Sequence, residues 1–164
     1  MPGLRLRFKK KNDGDCVLTA VRADGTSTSS NIGTAGGFGP VHDLTHLVVE
    51  KMLGMRDGFL GLLGQGKDVG DFDRNAKQWL TADAYRAEAI AGQMSQDYGT
   101  GQPLSAEDFN WTVRDTLTRV GVQCDHRDLS AEQLVAMRAQ LDELVAQWRA
   151  IAPGETLELD ASVK

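Results

Sequence analysis

Cysteine is scarce in this sequence: only Cys16 and Cys124 occur in 164 residues. Two cysteines cannot form a disulfide scaffold, so free thiols in a cytoplasmic protein are the expectation. Also missing is any run near the roughly 18 apolar residues of a membrane span, and no signal-peptide pattern is visible. Positive charge is short as well, with 18 Lys+Arg against 23 Asp+Glu and a net charge of −5. Together with a pI near 5.1, that balance excludes a general nucleic-acid binder, which needs a basic footprint. The one basic cluster, Arg5, Arg7, Lys9, Lys10 and Lys11, alternates with Leu4, Leu6 and Phe8 and reads as the wet face of a strand. There is no internal repeat, no low-complexity tract and no G-x-S-x-G nucleophile elbow.

What remains is an ordinary globular composition, 41% hydrophobic and 25% charged, in a chain long enough for one domain (1–164) with a real core. The spacing predicts an α+β fold: a small N-terminal antiparallel β-meander, then a mainly helical portion. Leu4 to Lys10 alternates, Asn12-Asp13-Gly14 turns, and Cys16 to Arg22 suits a second strand. After Asp24-Gly25 the segment Thr26 to Ile32 is either a third strand or a loop, and a glycine-rich crossover follows. About four helices come next. The first starts at Pro40, where a missing N–H costs nothing, and ends near Gly54. The glycine-punctuated stretch from Arg56 to Asp73 holds a short helix or strand and a loop. Asn75 to Tyr98 reads as a long helix, and Ser105 opens another. Ser130 with Gln133 has capping-box spacing and starts a helix to Ile151. Its residues Leu134, Met137, Leu141, Leu144, Trp148 and Ile151 form a heptad seam, which needs a long partner helix in this chain or in a second copy. Thr156 to Asp160 alternates and is a candidate C-terminal edge strand. Trp79, Trp111 and Trp148 occupy apolar helical positions, as core residues would.

One segment makes a specific chemical suggestion. From Pro40 the chain reads P-V-H-D-L-T-H-L-V-V-E, with His42 and His46 four apart and Glu50 four further on. On a helix, residues i and i+4 share a face, and two imidazoles so placed can bind one cation. At about 100° per residue, Val41, Leu44, Val48 and Met52 fill one side while Leu47, Val49 and Leu53 flank the other. His42, His46 and Glu50 then form a polar row bordered by apolar residues, which suits a pocket. Buried polar packing is the plainer alternative for the same row.

Each four-residue step climbs about 6 Å, so His42 and Glu50 lie too far apart to share one ion easily. Glu50 is better placed to support His46, and a third ligand has to come from elsewhere. His126, in the Cys124-Asp125-His126 link, is the first candidate. Asp57, Asp68, Asp71 and Asp73 are others. Asp43 either caps its own helix start, where the macrodipole favours carboxylates, or acts as a general base.

The H-D-x-x-H element resembles that of the ubiquinone-biosynthesis family, whose zinc motif is H-D-x-x-H followed by a downstream glutamate. His42, Asp43 and His46 match, but the expected glutamate position holds Gly58, with Asp57 beside it. The longer string, P-V-H-D-L-T-H-L-V-V-E followed by R-D-G-F, also resembles uncharacterised bacterial proteins with the same helix. Both resemblances imply a metal-binding core.

Two near-motifs carry less. Gly61 to Asp68 misses a phosphate-binding P-loop because Asp68 replaces the hydroxyl residue. Asp68, Asp71 and Asp73 miss the EF-hand spacing.

The leading expectation is a divalent metal, zinc by default, held by His42, His46 and His126. An enzyme of this kind would act on a small-molecule ester, amide or phosphoester through activated water, with Asp43 or Glu50 assisting. The competing expectation is an interaction or scaffold protein that forms a homodimer through the heptad helix at 134–151, its histidines structural.

Overall fold

The alternating pattern at the N-terminus does build a sheet. In the computed structural model, which describes residues 3–73, 79–123 and 126–164, β1 (Arg5–Lys10), β2 (Asp15–Val21), β3 (Ser27–Thr34) and β4 (Thr156–Asp160) form four antiparallel strands in the order β3-β2-β1-β4. The segment that read as strand or loop is thus a strand, and the C-terminal strand takes an edge as expected. Leu4, Leu6, Phe8, Cys16, Leu18 and Ala20 are buried on one face. The other face is polar: Arg5 and Arg7 both reach Glu158 on β4, so this part of the basic cluster is a solvated sheet surface, whereas Lys10 is half-buried, donates to the Ile151 carbonyl and lies over the Trp148 ring.

Five helices cover the buried face or pack beside it: α1 (Phe38–Leu53), α2 (Phe59–Gly64), α3 (Ala82–Thr100), α4 (Ala106–Arg119) and α5 (Ala131–Ala150), with a short 3-10 helix at Val69–Asp73. α1 is the hub and packs against α3, α5 and β3. Every residue from Leu44 to Glu50 is buried, so α1 is surrounded on all sides, which only a central helix can be. The buried apolar side chains form one continuous cluster. No described helix is long and apolar enough to cross a membrane.

α5 carries the capping box anticipated from Ser130 and Gln133. Its seam is consumed inside the chain: Leu134, Met137, Leu141, Leu144 and Trp148 are all buried. Trp148 meets Phe8 edge-on and donates from Nε1 to the Ala35 carbonyl at 2.9 Å. The long partner that the heptad pattern requires is therefore this chain's own core.

Several expectations need correction. α1 starts at Phe38, two residues before Pro40, which sits in its first turn. Met52, placed with the apolar side of that helix, is 46% exposed. α3 starts at Ala82 rather than near Asn75, because the Thr81 hydroxyl accepts from Ala84 N–H at 3.0 Å and sets the helix start there. Trp79 consequently lies ahead of the helix, and residues 74–78 fall outside the described ones. Trp111 is no core residue: it lies on α4 and is 60% exposed.

Candidate metal centre

The start of α1 is pressed onto β3. A Cβ at Gly39 would lie 1.9 Å from the Ile32 carbonyl oxygen, so only glycine permits this approach. That contact fixes the helix so that His42 and His46 look into a cavity of about 400 Å³ between β3, α1, α3 and the 3-10 helix. On the facing helix, Ala84, Glu88 and Ser95 fall on the side turned toward α1: Ala84 and Glu88 line the cavity, and Ser95 contacts His42. Small residues on this row let the two helices close up, and Glu88 is its one acid.

Glu88 is the third group. Its Oε2 lies 2.8 Å from His46 Nε2, and its Oε1 lies 3.2 Å from His42 Nε2. One ligand atom from each of the three residues falls within 4.8 Å of the others, so His42, His46 and Glu88 can hold a metal ion. Zinc is bound at about 2.0–2.2 Å by just these nitrogen and oxygen donors.

Behind each histidine a second group sets the ring. His46 Nδ1 donates to Glu50 Oε1 at 3.1 Å. Glu50 is wholly buried and also accepts from the backbone N–H groups of Phe59 and Leu60, both at 2.8 Å. A Cβ on Gly58 would approach the Glu50 carboxyl carbon to 2.6 Å, so glycine there makes room for the acid. Glu50 thus ties His46 to the first turn of α2. His42 Nδ1 faces the Ser95 hydroxyl at 3.4 Å, which in turn donates to the Ala91 carbonyl at 2.7 Å. Such outer partners orient metal-ligating imidazoles and leave the opposite nitrogen free to ligate.

Electrostatics follow from this packing. Burial opposes charge on His46, but hydrogen bonds to Glu50 and Glu88 outweigh it and push the imidazole up to about 10. Burial likewise works against the Glu88 charge, while hydrogen bonds from His42 and His46 hold its carboxyl well below the usual carboxylate range. Without a metal His46 is therefore an imidazolium between two carboxylates. A divalent cation competes with that proton for the same nitrogen.

The remaining predicted residues lie as follows. Asp43 lines the cavity with the histidines. It cannot cap α1, since the helix begins two residues earlier than expected and has no acid in its first turn. His126 is brought elsewhere: its Nδ1 accepts from Arg86 Nε at 3.2 Å. Burial, reinforced by the Arg86 charge, lowers its pKa. The group beside the histidine pair is Glu88 in its place. Asp57 accepts from Gln65 Nε2, Asp68 pairs with Arg22 and Asp71 accepts from the Asp68 N–H, so these acids serve their own loop. Cys124, Asp125 and the side chain of Asp73 lie outside the described residues. Cys16 is buried on the inner sheet face, where burial and the Asp43 charge push its thiol up to about 12.

Sequence reasoning missed Glu88. The available signal was an acid in a row of small residues at 84, 88, 91 and 95, spaced to face another helix.

Compared with known protein families, with functionally described proteins and with solved structures, the chain has no match.

Proposed function

We propose that the protein binds one divalent metal, zinc by default, through His42, His46 and Glu88, and uses it to hydrolyse a small-molecule substrate in the adjoining cavity. One observation carries this reading: two imidazoles and a carboxylate from separate helices converge, and each imidazole is oriented from behind by a buried partner. Three protein ligands leave a coordination position for water or substrate. Bound there, the metal would supply Lewis acidity and an acidified water.

The chain's own groups divide the rest of the work. Glu88 and the two histidines set the ligand geometry. Glu50 is committed to three hydrogen bonds, so it positions His46 and does not shuttle protons. Asp43, in the cavity wall, accepts a proton from the attacking water and returns it to the leaving group. Water's oxygen bonds to the carbonyl carbon or phosphorus, the ester or amide bond breaks, and the leaving oxygen or nitrogen keeps the proton.

Elemental analysis of purified protein tests the binding step. About one metal per chain in the wild type, lost in His46→Ala and Glu88→Ala, is the expected result. Folded wild-type protein that holds no stoichiometric metal after zinc supplementation contradicts it.

A further inference from the structure

Both ligand histidines carry an aromatic ring on the cavity side. Phe38 stacks on His42 at a centroid distance of 5.1 Å and an interplanar angle of 24°. Phe59 lies 5.2 Å from His46, and Phe72 meets Phe59 edge-on at 4.6 Å. All three rings line the cavity. Phe38 is 61% exposed. It is held there by the jammed contact of Gly39 on β3, so its exposure is built into the start of α1. A large exposed ring that continues an apolar wall beside a candidate metal centre is what a ligand pocket presents.

From this arrangement we infer, resting on the metal-binding reading above, that the cavity takes carbonyl compounds bearing an aromatic ring, such as aryl esters or aryl amides. The carbonyl oxygen would sit at the metal and the ring between Phe38 and the Phe59–Phe72 pair. A volume of about 400 Å³ accommodates one ring and its substituent.

The test uses the zinc-loaded full chain and two probes, acetohydroxamate and benzohydroxamate, titrated by calorimetry. Both hydroxamates offer the metal the same oxygen pair, so their ratio reads the aromatic wall alone. Benzohydroxamate should bind roughly three- to tenfold more tightly than acetohydroxamate, the worth of one or two ring contacts. Phe38→Ala, at an exposed position, should lower benzohydroxamate affinity severalfold with acetohydroxamate affinity and zinc content unchanged. Trp111→Ala, which removes an exposed ring outside the cavity, should change neither. Equal affinity for the two hydroxamates in zinc-loaded protein overturns the aromatic assignment while leaving metal binding intact. A chain that holds no zinc and binds neither hydroxamate removes the metal reading and this one together.

Discussion

His46 and His126 both have side chains only 4% exposed, and their surroundings are opposite. His46 lies between Glu50 and Glu88, and its pKa is raised to about 10. His126 lies beside Arg86, and its pKa is lowered. One nitrogen of His126 is already taken by a guanidinium, and its Nε2 finds no hydrogen-bond partner among the described residues. Burial alone therefore does not make a histidine a ligand. What matters is whether acids draw a positive charge to it. Glu50 from its own helix and Glu88 from α3 both touch His46, and a cation belongs there, whether a proton or a metal.

The sharpest way to break the comparison is to remove the acid behind His46. Glu50→Ala strips the partner from a buried imidazole and from two backbone N–H groups at once. Removing one member of a buried charged pair costs about 3–5 kcal/mol, so chemical denaturation should show a loss of that size, and the surviving folded fraction should bind zinc poorly. Gly58→Ala probes the same joint from the other side. Its Cβ would collide with the Glu50 carboxylate, and overpacking of this kind costs about 1–3 kcal/mol.

Titration gives an intermediate effect with opposite signs at the two residues. In metal-free protein, the raised pKa of His46 means that folding takes up a proton above the ordinary value of 6.5. Its stabilisation is thus fully present below pH 6.5 and is lost as pH climbs toward about 10. For His126 the native state resists protonation, so stability falls as pH drops below its ordinary value of 6.5. Denaturation midpoints of His46→Gln and His126→Gln variants across this range should separate the two slopes. Zinc affinity should rise with pH over the same interval, because zinc must displace the His46 proton.

The smallest effects should come from residues outside the cavity. His126→Gln should cost no more than about 1–2 kcal/mol and leave the metal content at the wild-type level. Cys16, buried with its thiol pushed up to about 12, should react with a thiol reagent at pH 8 only after unfolding.

Local chemistry was legible in the sequence where it acts locally. The alternation of Leu4, Leu6 and Phe8 marked β1, and Ser130 with Gln133 marked the start of α5, because pleat and capping box depend on near neighbours. The i, i+4 spacing of His42 and His46, and the support of His46 by Glu50, depend on one helix and were readable for the same reason. Glu88 was not. Its role comes from α3 lying against α1, 42 residues away along the chain from His46, and nothing in its own neighbourhood distinguishes it from other helical acids. Thr81 shows a different failure: Trp79 and Leu80 fit the helical period, yet the hydroxyl of the next residue, Thr81, decided where α3 begins.

The central claim is that His42 and His46, and not His126, present a nitrogen to a metal with Glu88. Nitrogen-15 NMR of the histidine rings during a zinc titration tests it most directly. One equivalent of zinc should shift the Nε2 resonances of His42 and His46 in the wild type but not in Glu88→Ala, and leave His126 unmoved. A zinc-dependent shift at His126, or no shift at His42 and His46 under saturating zinc, would contradict the account.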